Sequence, residues 1–217
     1  MRLVALTAIC LPVYGATPHA VRSVRVPIVD GADIRFEHLS LEPATVRGIV
    51  NRMVQDDQGF LWFGTNHGLL RYDAHQFRAF VHDPDDPNSV RGTNVSALFK
   101  DRSGHLWVGS DQNVDRYDPV NGVFQHVLPD AANACGPAGI ARDITQDRDG
   151  FIWVATDNGL VRLDPSTSKL TCYQHRQDDE SSIGSNLIRT MLESRDGSFW
   201  VATSVSLDAL DRNTGRV

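Results

Sequence analysis

Three pairs of polar residues recur at matching places along this 217-residue chain: Asn66-His67, Asp111-Gln112 and Asp157-Asn158. Carboxamides, carboxylates and an imidazole gathered on one face suit the reversible hydrogen bonding of a polar ligand. A second equivalent set, Asn51, Ser96, Arg142 and Arg189, adds guanidinium groups that can hold an oxyanion, and the linker residues Arg91 and Asn94 accompany them. The ligand expected from these residue types is a small molecule that is sugar-like or anionic. Chemistry beyond binding finds little support. The eight histidines (His19, His38, His67, His75, His82, His105, His126, His175) form no H-E-x-x-H pattern, no paired-cysteine spacing indicates zinc, and neither a G-x-S-x-G elbow nor a phosphate loop occurs. The acid-rich DPDDPN at 83–88 fails as a calcium loop, since its fifth position is Pro87, and reads as a solvated turn. No catalytic residue, metal ligand or cofactor is therefore assigned.

The elements that must position these residues are repeated. QDDQGFLWFGTNHGLLRYD (55–73), KDRSGHLWVGSDQNVDRYD (100–118), DRDGFIWVATDNGLVRLD (147–164) and a weaker ESRDGSFWVATSVSLDALD (193–211) align on the turn glycines Gly59, Gly104, Gly150 and Gly197. The chain's four tryptophans, Trp62, Trp107, Trp153 and Trp200, fall at intervals of 45, 46 and 47 residues. A period in this range marks a solenoid, propeller or array. Within the third copy, short apolar runs bounded by turns predict strands at 140–146, 151–155, 160–164 and 170–176. Asp-Gly in the first turn is a hairpin signal, because glycine accepts positive φ without steric cost. Four antiparallel strands per repeat make a β-propeller blade, an all-β fold. Each tryptophan, on a second strand, is expected to fill the wedge between blades and bury about 150–250 Å². Asp56, Asp101 and Asp147 are expected to cap turn amides, with Ser194 doing so more weakly in the fourth copy. Arg71, Arg116 and Arg162 either pair with neighbouring blades or are solvated. Strand alternation brings the loops between second and third strands, and the links between blades, to one face, where the polar pairs sit.

Composition narrows the class. The chain is 41% hydrophobic, with 21 Lys+Arg against 27 Asp+Glu and a net charge of −6, which disfavours both disorder and nucleic-acid binding. Residues 1–20 resemble a signal peptide: Arg2, an apolar run from Leu3 to Tyr14, then small residues at Gly15, Ala16 and Ala20. Cys10 lies in this leader; export permits a bridge between Cys135 and Cys172, but their separation does not specify one, and two independent thiols are the preferred reading.

The pattern apolar-x-x-D-x-x-G-x-apolar-W-apolar-G/A-T/S-x-x-G-L-x-R-Y/L-D resembles the two-component regulator propeller repeat, and DPDDPNSVRGTNV (83–95) and DDESSIGSNLI (178–188) resemble its inter-blade linker. The fourth copy departs from it at Ser204-Val205-Ser206 and at Ala209. The resemblance implies a periplasmic, ligand-sensing region of hybrid histidine kinases or diguanylate cyclases, with a carbohydrate as one ligand class, contact with the membrane only through further C-terminal regions, and a homodimer in the full-length receptor. No kinase or cyclase pattern occurs in the chain, so it is not expected to be an enzyme. Two alternatives stand beside the sensor: a propeller lyase, and a non-catalytic scaffold for protein partners.

The partial propeller is expected over 33–217, with repeats at about 49–92, 93–139, 140–186 and 187–217. About four blades are counted, plus a spare strand at 33–40. Either that strand closes a four-bladed ring, or the blades are part of a seven-bladed one, of which this chain would be an N-terminal fragment. The resemblance favours the second, because blades built for a seven-fold ring meet at a shallower angle than four-fold closure needs. Such an arrangement leaves apolar blade faces uncovered and predicts poor solubility.

Overall fold

The computed structural model describes residues 48–111, 113–128 and 139–217. The expected leader at 1–20, the spare strand at 33–40, Gln112 and Cys135 lie outside them. The described residues form an all-strand chain. The first blade comprises β1 (Val50–Gln55), β2 (Leu61–Thr65), β3 (Gly68–Tyr72) and β4 (Phe77–Phe80). The second has β5 (Val95–Lys100), β6 (Leu106–Ser110), β7 (Val114–Asp118) and β8 (Val123–His126). The third has β9 (Ala141–Gln146), β10 (Ile152–Thr156), β11 (Gly159–Leu163) and β12 (Leu170–Tyr173), and the fourth β13 (Ile188–Glu193), β14 (Phe199–Thr203) and β15 (Leu207–Leu210). Each sheet is antiparallel and follows chain order, giving three sheets of four strands and one of three. β12 stops three residues short of its expected end, where the chain turns into the linker.

The turn between first and second strands is built the same way in three blades. Gly59, Gly104 and Gly150 take φ of 90°, 86° and 98°, which a side chain would strain. The aspartate three residues earlier caps the turn. In the third blade Asp147 Oδ1 accepts from the amides of Asp149 and Phe151, each at 3.0 Å, while Oδ2 accepts from Trp153 Nε1 at 2.7 Å. Asp56 and Asp101 bind Trp62 and Trp107 in the same manner, at 2.7 and 2.9 Å. The aspartate thus ties the turn to the tryptophan six residues on, a link beyond the capping that the sequence predicts. Burial works to raise the Asp101 pKa, but the hydrogen bonds from Trp107 and His105 outweigh it and hold the carboxyl below its usual range. Ser194 takes this place in the fourth blade and donates instead to Asp196 Oδ1 and to the carbonyl of Ser198.

Blades join through apolar seams. Trp62 meets Tyr117 of the second blade at 4.9 Å between ring centroids. Trp107 packs into a core with Ala141, Ile144, Ile152 and Val154 of the third. Trp153 stacks between Tyr173 and Phe199, the latter from the fourth blade, with centroids 5.5 and 4.6 Å away. These three rings are at most 1% exposed. Trp200 is the exception: it is 36% exposed, which corrects the expectation that all four are core. The reason is positional. Each tryptophan is covered by the following blade, and among the described residues no blade follows the fourth.

Polar contacts reinforce the seams. Arg102 donates through its amide and Nε to Gln146 Oε1, at 2.9 and 3.1 Å, and Arg148 does the same to Glu193, at 2.7 and 2.6 Å. Lys100 pairs with Asp57 at the corresponding place between the first two blades. Arg212 joins the last seam, with Nη1 3.1 Å from Asp147 and Nη2 3.1 Å from Glu193. Of the third-strand arginines, Arg71 lies 4.4 Å over Phe60 and Arg162 lies 4.8 Å over Phe151, both within cation–π range. Arg162 also reaches the Arg212 carbonyl of the next blade, and Arg116 pairs with Gln125 of its own.

Cys172, in β12, is disulfide-bonded, which corrects its reading as an independent thiol. Spacing along the chain carries no information on which cysteines a fold brings within bonding reach.

The two end blades present apolar faces: Ile49 and Met53 on the first, each 69% exposed, and Leu192 and Leu207 on the fourth, 63% and 65% exposed. Beside the latter pair, Met191, Trp200 and Ala202 help line an apolar groove of about 600 Å³. Exposed patches of this kind drive association. The protein is expected to self-associate with rising concentration, and Leu192→Lys with Leu207→Lys to shift it toward monomer. Sedimentation velocity checks this, and an unchanged distribution in the double variant counts against the apolar face as its cause.

Candidate functional site

The inner strand of every blade carries one irregularity. Pairing of β1 with β2 passes from Val50 opposite Thr65 to Arg52 opposite Gly64 and leaves out Asn51. The same step leaves out Ser96 between β5 and β6, Arg142 between β9 and β10, and Arg189 between β13 and β14. These are β-bulges, which re-aim a side chain out of the ladder. The four bulge residues, with Asn94 and Arg52, line a single pocket of about 320 Å³. The inner-strand set read from the sequence is thus brought together at one place, drawn from all four blades.

Within the pocket, Asn51 Nδ2 donates to Asn94 Oδ1 at 3.1 Å and to the Val95 carbonyl at 3.0 Å. Ser96 Oγ donates to the Ala141 carbonyl at 2.6 Å. These bonds cross from one blade to the next and hold the bulges in register. Arg142 Nη2 stands 3.8 Å from Asp157 Oδ2, while its Nε is buried and unpaired. Arg189 is exposed to the pocket. Arg52 was not singled out from the sequence. It follows the bulge residue, and only the three-dimensional path brings its guanidinium to the Arg142 carbonyl, 3.4 Å away.

The loop residues are placed differently. Asn66 Oδ1 accepts from the Ile49 amide at 2.8 Å, and Asp157 Oδ1 from the Ile140 amide at 2.8 Å. Asp111 Oδ1 accepts from Thr93 and Asn94, at 3.1 and 3.3 Å. In three blades this side chain therefore latches the incoming linker to the loop between second and third strands. Loop and linker do share a face, but these oxygens are committed to backbone amides. Gly139 lies so close to the latch that an added Cβ would fall 2.1 Å from Asp157 Oδ1. In the fourth blade the Ser204 amide reaches the Leu187 carbonyl at 2.9 Å, so the latch persists without the acid. The glycine-free turn there closes on the Thr203 hydroxyl, which accepts from Val205 and Ser206 at 3.2 and 2.9 Å. His67 is exposed at the loop tip, with Nδ1 3.0 Å from Asn66 Oδ1. The Asn158 carbonyl accepts from Gln174 at 3.1 Å.

Asp115, wholly buried, was not predicted from the sequence. Its Oδ1 lies 2.7 Å from His126 Nδ1, and Oδ2 accepts from the Arg91 amide at 2.7 Å. Burial pushes its pKa up, against the hydrogen bonds from His126 and Arg91. It serves to anchor the acid-rich linker, because His126 Nε2 meets the Pro87 carbonyl at 2.8 Å. A pocket of about 220 Å³ beside β12 holds His175, whose Nδ1 is 2.8 Å from the Ile183 carbonyl and whose amide donates to Asn186. Its polar groups are engaged by the linker. The inner pocket remains the place where polar groups converge with capacity to spare.

The blades have a counterpart among known repeats. The family model described as two component regulator propeller matches residues 47–67, 89–112 and 136–158, each span running through the first strand, capped turn and second strand to the latch loop. Three of the four blades thus match that repeat. The fourth blade, where Ser194 and Ser204 depart from the pattern, falls outside the matched spans. Among curated proteins none matches the chain. Solved propellers resemble these repeats in fold. The extracellular domain of a hybrid two-component system from B. thetaiotaomicron is 20% identical, with a TM-score of 0.65 over 82% of this chain and 25% of that one. The extracellular domain of a one-component system from the same organism is 20% identical, with a TM-score of 0.60 over 73% and 21%. Virginiamycin B lyase from Staphylococcus aureus, solved with quinupristin, is 16% identical, with a TM-score of 0.55 over 82% and 60%. The chain thus spans a quarter or less of the two B. thetaiotaomicron domains. At these identities the likeness is one of fold.

Proposed function

We propose that this chain is an exported, ligand-sensing part of a two-component-type receptor, and that its ligand occupies the inner pocket. The observation that carries the reading is the coincidence of the four bulges. One residue from each inner strand leaves the sheet and enters a shared cavity, and two of the four are arginines. A scaffold needing only stability has no use for cationic side chains there. The match to the repeat family and the fold shared with the extracellular domain of a hybrid two-component system support the receptor setting. The sequence of residues 1–20 supports export.

Two measurements test this. Alkaline phosphatase fused after Val217 is expected to be active, and to lose activity when residues 2–20 are deleted. An inactive full-length fusion overturns export. Scanning fluorimetry of the purified chain against sugars, sugar acids and small peptides is expected to show a saturable rise in Tm of roughly 5–10 °C at a hundredfold excess over Kd. Ser96→Phe, which fills the pocket, should abolish the rise. If no compound raises Tm, ligand sensing at this site fails.

A further inference from the structure

The inner pocket holds more positive charge than the fold itself uses. Three guanidinium groups line it, from Arg52, Arg142 and Arg189, in a protein whose net charge is −6. Arg52 is tethered, donating to the carbonyls of Asn51 at 3.1 Å and Arg142 at 3.4 Å. Arg142 has one carboxylate near it, Asp157 at 3.8 Å, which lies beyond hydrogen-bond reach, and its buried Nε has no acceptor. Arg189 makes no hydrogen bond or ion pair among the described residues. Buried donors are ordinarily satisfied, and an arginine fork matches the planar oxygens of a carboxylate.

The neighbouring groups offer the opposite polarity. Both Asn51 bonds within the pocket use Nδ2, so Oδ1 keeps its acceptor capacity. Ser96 Oγ donates its hydrogen bond to the Ala141 carbonyl and can still accept. Cationic donors beside hydroxyl acceptors match one chemistry, an acid that also carries hydroxyls. The volume of about 320 Å³ lies at the small end of ligand pockets and suits a single ring-sized molecule.

We propose that the pocket recognises a small hydroxylated carboxylate. Arg189 and the Nε edge of Arg142 take the carboxylate, and Asn51 Oδ1 and Ser96 Oγ accept from an adjoining hydroxyl. This rests on the reading of the pocket as the ligand site. A neutral sugar would leave both guanidinium groups without a charged acceptor and forgo the stronger, charge-assisted bonds.

Calorimetric titration of the purified chain at about 150 mM NaCl tests it, with glucuronate, galacturonate and gluconate set against glucose, galactose and sorbitol. At least one acid is expected to bind about tenfold or more tightly than its neutral counterpart. Arg189→Gln should weaken that acid about tenfold or more while leaving the unliganded Tm in place, since the side chain makes no hydrogen bond or ion pair among the described residues. Arg116→Gln, which alters a third-strand arginine paired with Gln125 away from the pocket, should leave binding unchanged and so exclude a general charge effect. Acids and neutral sugars binding alike, with no effect of Arg189→Gln, would overturn acid recognition and leave ligand sensing standing. Acids failing to bind while fluorimetry finds a neutral ligand would have the same consequence. If nothing binds in either assay, both readings fall together.

Discussion

Trp153→Ala is expected to destabilise the protein by about 3–5 kcal/mol, whereas Trp200→Ala should cost about 1–2 kcal/mol. The two residues occupy the same register in their blades, opposite Arg162 and Ala209 respectively. Intrinsic strand preference is therefore the same for both. What differs is cover. Trp153 is fully buried between Tyr173 and Phe199, and its loss opens a cavity at the seam of third and fourth blades. Trp200 already meets solvent over a third of its surface. Urea denaturation of the two variants side by side checks the difference. Equal losses would mean that the ring stabilises its own sheet more than the seam.

Asp147→Ala should cost about 2–4 kcal/mol, out of proportion to the small volume removed. The carboxylate is 1% exposed and serves two turn amides, the Trp153 indole and Arg212 at once. Truncation leaves a buried indole N–H without an acceptor, and such a group keeps its full desolvation cost. Asp147→Asn is the sharper test. Its Oδ1 can still cap the turn, but its amide then faces the indole donor to donor, so most of the loss should remain, at about 2–3 kcal/mol. Thermal unfolding reads both. A near-neutral Asn variant would show that capping matters and that the indole bond does not. Asp56 and Asp101 make the same links, and their alanine variants provide independent repeats of the measurement.

Much of this was legible in the chain. The tryptophan interval, the Asp-to-Gly turn and the polar linkers specify blades because each repeats a local rule, alternation along a strand or a residue tolerant of positive φ at a turn. The bond from Asp147 to Trp153 was not read from the sequence, although an aspartate recurs six residues before the ring, because turn capping already accounts for that residue. The loop pairs were harder. Asn66, Asp111 and Asp157 read as ligand groups, since a polar side chain in a loop carries no mark of the partner it faces. In the fold their oxygens accept the amides of the linker entering their own blade. The inner set, Asn51, Ser96, Arg142 and Arg189, was visible from equivalence between repeats; that each falls on a bulge was not.

By itself the sequence determined the repeat, the order of strands within a blade and the residues equivalent from one blade to the next, because these depend on periodicity over a few residues. The tertiary structure decided which tryptophan is left uncovered, that Cys172 is bonded, and that Arg52 and Arg142, ninety residues apart, share a pocket with Arg189. Those outcomes turn on how one sheet stacks beside the next, and stacking arises from contacts between residues roughly a repeat or more apart, which no local pattern encodes.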